Sequence, residues 1–590
     1  SIGDLIAGSR SFITVNSSKE KVMMNKENLQ NEILLEEQKE LDRHKITAAQ
    51  MPKVIEPVVL IVSIVVSILG CIVGLQVQVH TGTTPDTSIV GAIFAILVAQ
   101  IPLRWLKSFK NIHRQNLVQT SISGATFASA NCMFLTMGIP VIMGWPQLMV
   151  PMLIGATLAT IVDATILYKS FGSPMFPAEG AWPPGIAVAE SIYAMADKGK
   201  RAVLLLVGAV FGWGGAMIGI PMDLVGVVWV GSLVAMGSFG VGSLIKGLLS
   251  TNEFSLTFAG HTANFATDLF GSDFSFADSV SFSYLGHGAM IGAGIISLLQ
   301  CAKILFRKEG KGTSAAAQFG TSLSDMKGAL GKGFIAYLVI ALGLAVATGL
   351  YYEMGVGMFI AWVVFAAVAA LISELIVGVS AMHSGWFPGF ATALLFLIIG
   401  MMIGFPTLPL AILAGFTAST GPAFSDMGND LKAGWILRGK GADMELEKVG
   451  RRQQYFAELL GFGVAFVMVA IFAKSYFSQG MFAPINFVYQ STIEAGSTIE
   501  VMKWLAIWAV PGALIQLIGG NHQAGILFAT GFLVGWTEAG VVILIAILIR
   551  WLIVRKNPER DSIFAILGAG ALVGCALRDF SSSMLGLFKK

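Results

Sequence analysis

Acidic residues placed where water should be scarce are the first candidates for chemistry in this sequence. Asp163 lies in the run ATIVDATIL, Glu374 in ALISELIVG, Asp223 beside Pro221, and Glu538 in GFLVGWTEAG. Charged side chains inside apolar runs are costly and usually face a bundle interior or an aqueous path. A carboxyl withdrawn from water holds its proton more firmly, so it can exchange protons near neutral pH. Asp163, Glu374 and Glu538 are therefore the candidates for proton coupling. The competing reading is an acid that bonds to a neighbouring helix or sits at a membrane interface. That reading is adopted for Asp223.

Two histidines recur in a short echo. His80-Thr-Gly-Thr-Thr-Pro85 and His383-Ser-Gly-Trp-Phe-Pro388 share the pattern H-[ST]-G-x-x-P, 303 residues apart, and each follows one apolar run and precedes another. The offset is about half the chain, which points to a duplication. An isolated histidine is more often structural than a ligand, and no His-rich cluster indicates a metal site. Cys71, Cys132, Cys301 and Cys575 are widely spaced with no C-x-x-C, so packed thiols are expected, without disulfides or a thiolate metal site. No H-E-x-x-H, G-x-S-x-G or Walker A loop is present, and neither a catalytic residue nor a bound cofactor is expected.

The elements that must position these residues are apolar segments. No charged residue occurs from Val58 to Val79, and similar runs recur from Ser88 onward. A helix needs about 20 apolar residues to cross a bilayer. Composition agrees: 55% of residues are hydrophobic, 12% are charged, and there are 68 glycines, which suit close helix packing and broken helices. The expected fold is an all-α polytopic membrane protein with about 14–16 transmembrane helices in two repeated halves. Residues 1–52 read as a cytoplasmic amphipathic tail with Leu29, Ile33, Leu34 and Leu41 on one face, 53–312 as the first half, and 313–590 as the second. No n-region, h-region and cleavage site open the chain, so no signal peptide is expected.

Basic residues should collect in cytoplasmic loops. Arg104, Lys107, Lys110 and Arg114 fill the second connector whereas His80 to Asp86 has no Lys or Arg, so the N-terminus is read as cytoplasmic. The same count asks for one more crossing within Leu248 to Phe270, a stretch too polar to face lipid and therefore broken or buried. Two further irregular places are Met175 to Ile186, with three prolines, and Gly531 to Gly540. Net charge is +3 with no long basic cluster, so no nucleic-acid partner is expected.

At these residues the chain resembles the oligopeptide transporter family, including its yellow-stripe-like metal-chelate branch. Asn116-Leu-Val-Gln-Thr-Ser121 resembles its N-x-V-Q-T-x element, and Phe176-Pro-Ala-Glu-Gly-Ala181 with Ala187-Val-Ala-Glu190 its F-P-x-G-x-A…A-E element. Asp426-Met-Gly-Asn-Asp-Leu-Lys-Ala-Gly434 with Arg451-Arg-Gln-Gln454 resembles its D-L-K-T-G…R-x-Q signature, although Ala433 stands in place of the threonine. The resemblance implies an electrochemically driven symporter, usually proton-coupled, for small peptides, modified peptides or metal–chelate complexes.

A zwitterionic peptide needs an anion site and an acidic partner for its amine. Gln119, Thr120, Ser121 and Ser123 are candidates for the first, Glu179 or Glu190 for the second, with His383 near the path. Asp426, Asp430 and Lys432, surrounded by basic residues, are candidates for an intracellular gate. The expectation is a proton-coupled importer of small peptides in the plasma (inner) membrane, with the lipid bilayer and its substrate as partners and a homodimer left open. Metal–chelate symport, carriage of amino acids or organic ions, an intramembrane hydrolase and a passive channel are the alternatives.

Overall fold

In lipid every backbone N–H must find a carbonyl within its own segment, which leaves helices as the solution for apolar runs of this length. The computed structural model describes residues 44–81, 87–197, 200–250, 255–258, 261–264, 284–305, 320–385, 387–496, 498–534, 536–557 and 560–588. Nearly all of them are helical. Residues 1–43 of the amphipathic tail and the Gly82–Pro85 part of the first histidine motif lie outside the described residues.

Nine helices are long and apolar enough to cross a membrane, and seven shorter apolar helices accompany them among the described residues. In chain order the main helices begin with α1 (Pro57–Thr81), α2 (Thr87–Gln100), α3 (Ile112–Ile142) and α4 (Met149–Ser170). They continue with α5 (Pro183–Asp197), α6 (Lys200–Met217), α7 (Met222–Val230), α8 (Leu233–Ser250) and α9 (Leu285–Leu305). After α10 (Leu323–Ala347) come α11 (Val356–Ser384), α12 (Gly389–Ile403), α13 (Thr407–Ala418) and α14 (Pro422–Leu437). The chain closes with α15 (Met444–Ser478), α16 (Pro484–Ala495), α17 (Ile499–Ile518), α18 (Ala524–Val534), α19 (Thr537–Lys556) and α20 (Asp561–Phe588).

From α11 onward the order of long, broken and short helices repeats that of α1 to α9. The packing is reciprocal: α3 lies on α15 while α14 lies on α4, and α6 lies on α20 while α17 lies on α9. Each half therefore inserts helices into the other. α10 stands outside this correspondence and packs on α4 and α11.

Two elements differ from the rest. The spans Ile112–Ile142 and Thr407–Leu437 are the least apolar of the nine, and both are 89% buried inside the protein. Both are also irregular: α3 contains a π-helical turn at Ala128–Phe134, and the second span is broken at Ser419–Gly421 between α13 and α14. Helices too polar for lipid are withdrawn behind the others, and this pair forms the centre of the bundle.

The irregular segments take different forms. Between α4 and α5 the chain is non-helical but largely buried, with Phe176, Ala178 and Trp182 in the interior. α18 ends at Val534 and α19 begins at Thr537, as the Gly531 to Gly540 stretch implied. Within Leu248 to Phe270, where a further crossing was expected, the described residues are the last turn of α8 and an antiparallel pair, Ser255–Phe258 with His261–Asn264; the rest of the stretch lies outside the described residues.

The buried loop is locked to α14 by shape. Trp182 lies over Gly428, where any side chain would collide with the indole ring, and Phe176 meets Phe424 edge-on at 4.9 Å between ring centroids. Gly428→Ala is expected to overpack this contact at a cost of about 1–3 kcal/mol, read as a lower melting temperature of the purified protein. An unchanged melting temperature would show that the loop is not held by this contact.

Candidate functional site

The central pair α3 and α14 meets along a ladder of polar side chains. On α3, Gln119 and Ser123 are four residues apart and so share one face; on α14, Asp426 and Asp430 do the same. Gln119 Nε2 donates to Asp430 Oδ1 at 2.6 Å, and Ser123 Oγ donates to Asp426 Oδ1 at 2.6 Å. The rungs pair the earlier residue of one helix with the later residue of the other, so the helices run antiparallel here. From α2, Ser88 Oγ reaches Asp426 Oδ1 at 3.2 Å and Ser123 Oγ at 3.0 Å. Asn116 Nδ2 donates to Gln119 Oε1 at 3.1 Å and fixes the amide that faces Asp430.

α15 closes the third side. Gln454 Nε2 donates to the Asp430 carbonyl at 2.6 Å and to Thr120 Oγ1 at 3.2 Å, while its oxygen accepts from Arg438 Nη1 at 2.7 Å. Arg438 in turn grips Glu447 with two hydrogen bonds, Nε at 2.7 Å and Nη2 at 3.0 Å. That ion pair is buried, and its fork geometry is the strong form of carboxylate recognition. One turn beyond Gln454, Glu458 projects to the same place, and carboxylate oxygens of Asp426, Asp430 and Glu458 all lie within 4.8 Å of one another.

Of the four polar α3 residues expected to form a substrate anion site, only Gln119 and Ser123 face the ladder. Thr120 meets Gln454, and Ser121 faces Ser67 of α1 at 3.4 Å between hydroxyl oxygens. The donors of Gln119 and Ser123 are taken by the protein's own carboxylates. Asp426 and Asp430 are buried within this seam, so the expected set of gate residues divides. Lys432 points elsewhere: its Nζ donates to Ala178 O at 2.8 Å and lies 4.5 Å from the Trp435 ring centroid. Residues 430 and 432 are about 200° apart around the helix, which puts them on opposite faces. Glu179 is exposed in the loop beside Lys432, and Glu190 is buried on α5.

The three proton-coupling candidates also separate. Asp163 on α4 accepts three backbone N–H bonds from the start of α14: Gly421 to both carboxylate oxygens at 2.9 Å and Phe424 to Oδ2 at 2.9 Å. It caps the N-terminus of a broken helix in the interior, where an anion is favoured. Glu374 is fully buried on α11, with Tyr337 Oη donating to its Oε2 at 2.7 Å and lying 3.4 Å from Asp163 Oδ1. Its Oε1 has no hydrogen-bond partner. Glu538 is half-buried in the first turn of α19. His383 ends α11 and bonds through Nδ1 to the Val379 carbonyl at 2.9 Å.

Sequence elements far apart in the chain therefore converge. The Asn116–Ser121 stretch meets Asp430, the Phe176–Ala181 loop meets Lys432 and Phe424, and Gln454 bridges α3 to α14. A family model described as OPT oligopeptide transporter protein matches residues 56–306 and 283–585. This chain belongs to the OPT oligopeptide transporter family. No curated protein and no solved structure matches it. The family is one of transporters, and its motifs in this chain are the helices and loop that build the central seam. An OPT chain thus devotes its least apolar spans to one buried polar site within a multi-pass membrane protein.

Tyr337, Ser88, Arg438 and Glu458 belong to these networks, yet sequence reading passed over them. Glu458 carried a usable signal, an acid followed by the apolar run LLGFGVAF. Tyr337 and Ser88 are ordinary polar residues whose partners Glu374, Ser123 and Asp426 lie 37, 35 and 338 positions away.

The geometry makes Asp163 a positioning residue. Asp163→Ala orphans buried N–H groups at the start of α14 and is expected to cost about 1–3 kcal/mol per unsatisfied group, seen as a lower melting temperature. Asp163→Asn, which keeps an acceptor, should recover much of that loss. Equal melting temperatures for wild type and the alanine variant would remove the capping role.

Proposed function

We propose that the protein is a proton-driven symporter that imports small peptides or peptide-like compounds through the seam between α3 and α14. In this reading it sits in the plasma (inner) membrane with its N-terminus in the cytoplasm, takes its energy from the proton gradient with no cofactor supplying energy, and acts without catalysis. The observation that carries the proposal is the ladder itself. Two broken, weakly apolar helices are shielded from lipid and present amides, hydroxyls and carboxylates to one another. Broken helices meeting at a repeat interface are the usual setting of substrate sites in secondary transporters.

Peptides suit this chemistry. A carboxylate can take the donors of Gln119 and Ser123, an amine can take the acceptors of Asp426 and Asp430, and the ladder re-forms when the solute leaves. Glu374 is the preferred proton carrier. Its Oε1 lacks a donor while Tyr337 occupies Oε2, leaving one oxygen at which a proton would sit. Asp163, held by backbone N–H groups, keeps α14 in place beside it.

Purified protein in liposomes with an imposed inward proton gradient tests this. Uptake of di- to pentapeptides should collapse with a protonophore, and Glu374→Gln should lose most accumulation, about tenfold or more, while substrate binding changes little. Uptake of metal–chelate complexes alone would replace the peptide reading, and uptake indifferent to the protonophore would replace the symport reading with a channel. Peptide cleavage in the same vesicles would indicate a hydrolase.

A further inference from the structure

We propose that Asp426, Asp430 and Glu458 form a binding site for a divalent hard cation that ties α14 to α15 beside the ladder. The inference does not depend on which solute is carried. Asp426 and Asp430 each already serve the ladder through Oδ1, and Ser123, Ser88 and Gln119 account for those atoms. Glu458 is not accounted for. Its side chain is fully buried, it comes from a different helix, and neither of its carboxylate oxygens has a hydrogen-bond partner. It is nevertheless aimed at the two aspartates, with carboxylate oxygens of all three residues within 4.8 Å of one another.

Acceptor oxygens gathered in a dry interior repel one another unless something positive stands between them. The spacing fits a shared ion. Calcium- and manganese-type cations hold oxygen ligands at roughly 2.0–2.6 Å, which puts ligands on opposite sides of the ion roughly 4–5 Å apart. The donor set consists of oxygen alone, the set hard cations prefer over zinc or copper. Three carboxylates balance a divalent ion better than a monovalent one. The backbone also leaves room for the acid, because a Cβ at position 124 of α3 would run into the Glu458 carboxylate, and the residue there is glycine.

A bound ion would join α15 to the same carboxylates that Gln119 and Ser123 hold from α3. Binding would therefore favour the closed seam, and loss of the ion would free one side of it. Glu374 is not one of the three acids, so occupancy of the site and the proposed proton coupling are tested by different variants.

The test is direct binding of Mn²⁺ to purified, chelator-treated full-length protein, followed by electron paramagnetic resonance. The expected result is about one Mn²⁺ per chain, competed by Ca²⁺ or Mg²⁺, with affinity reduced at least about tenfold in Glu458→Gln and in Asp426→Asn but unchanged in Glu374→Gln. Helicity and a monodisperse elution profile confirm that each variant is folded, and Asp430→Asn serves if Glu458→Gln is not. Absence of stoichiometric Mn²⁺ binding to the wild type, or wild-type binding by folded trio variants, overturns the proposal and leaves protons as the charge that neutralises the three acids. Because no transport is measured, a failed peptide-uptake assay and a failed binding assay are distinct results.

Discussion

The structure depends on one constraint: inside a bilayer, polar groups must find their partners within the protein. The ladder of Gln119 with Asp430 and Ser123 with Asp426 is where this constraint is met most densely. A carboxylate facing lipid would cost several kcal/mol, so the helices that carry these acids must be surrounded. That requirement explains why the least apolar spans are the most buried and why more strongly apolar helices ring them. It also explains the buried ion pair of Arg438 and Glu447 at the end of α14. A lone arginine there would be prohibitive, whereas a bidentate pair with Gln454 on the remaining nitrogen is tolerable.

Asp163 and Glu374 show how little a single residue type reveals about its task. Both are acids in apolar runs, both are fully buried, and both lie within reach of the Tyr337 hydroxyl. Their difference lies in backbone that neither sequence neighbourhood contains. α14 starts in the interior because the second span breaks at Ser419–Gly421, and its first N–H groups have no carbonyl one turn back. Asp163 supplies the missing acceptor. Glu374 has no such backbone opposite it and keeps one oxygen without a partner. The broken helix thus creates the need for one acid and leaves its neighbour for another purpose.

What was legible in the sequence follows the same line. Membrane class, helical fold and the irregular places at Met175 to Ile186 and Gly531 to Gly540 are written in local composition, and composition is what lipid selects. The polar face of α3 and the acids of α14 were also visible as residue types. Their pairing was not, because Gln119 and Asp430 are 311 positions apart and nothing local specifies the register between two helices. Thr120 and Ser121 were grouped with Gln119 by adjacency in sequence, yet successive helical residues point about 100° apart, and each found a different neighbour.

The ladder also sets a condition on any transport cycle. Its rungs are short hydrogen bonds of 2.6 Å to buried carboxyl groups, so parting α3 from α14 without replacement would leave two buried carboxyl groups and their donors unsatisfied. The seam can open at moderate cost only if something offers equivalent bonds as it parts, whether water or a solute bearing both donors and acceptors. A purely apolar molecule cannot do this. A solute with an amine at one end and a carboxylate at the other can serve both helices at once, so on the proposed reading selection works by exchange of hydrogen bonds more than by the size of a standing cavity. In such a site recognition and opening are the same event, and a closed resting state is compatible with passage.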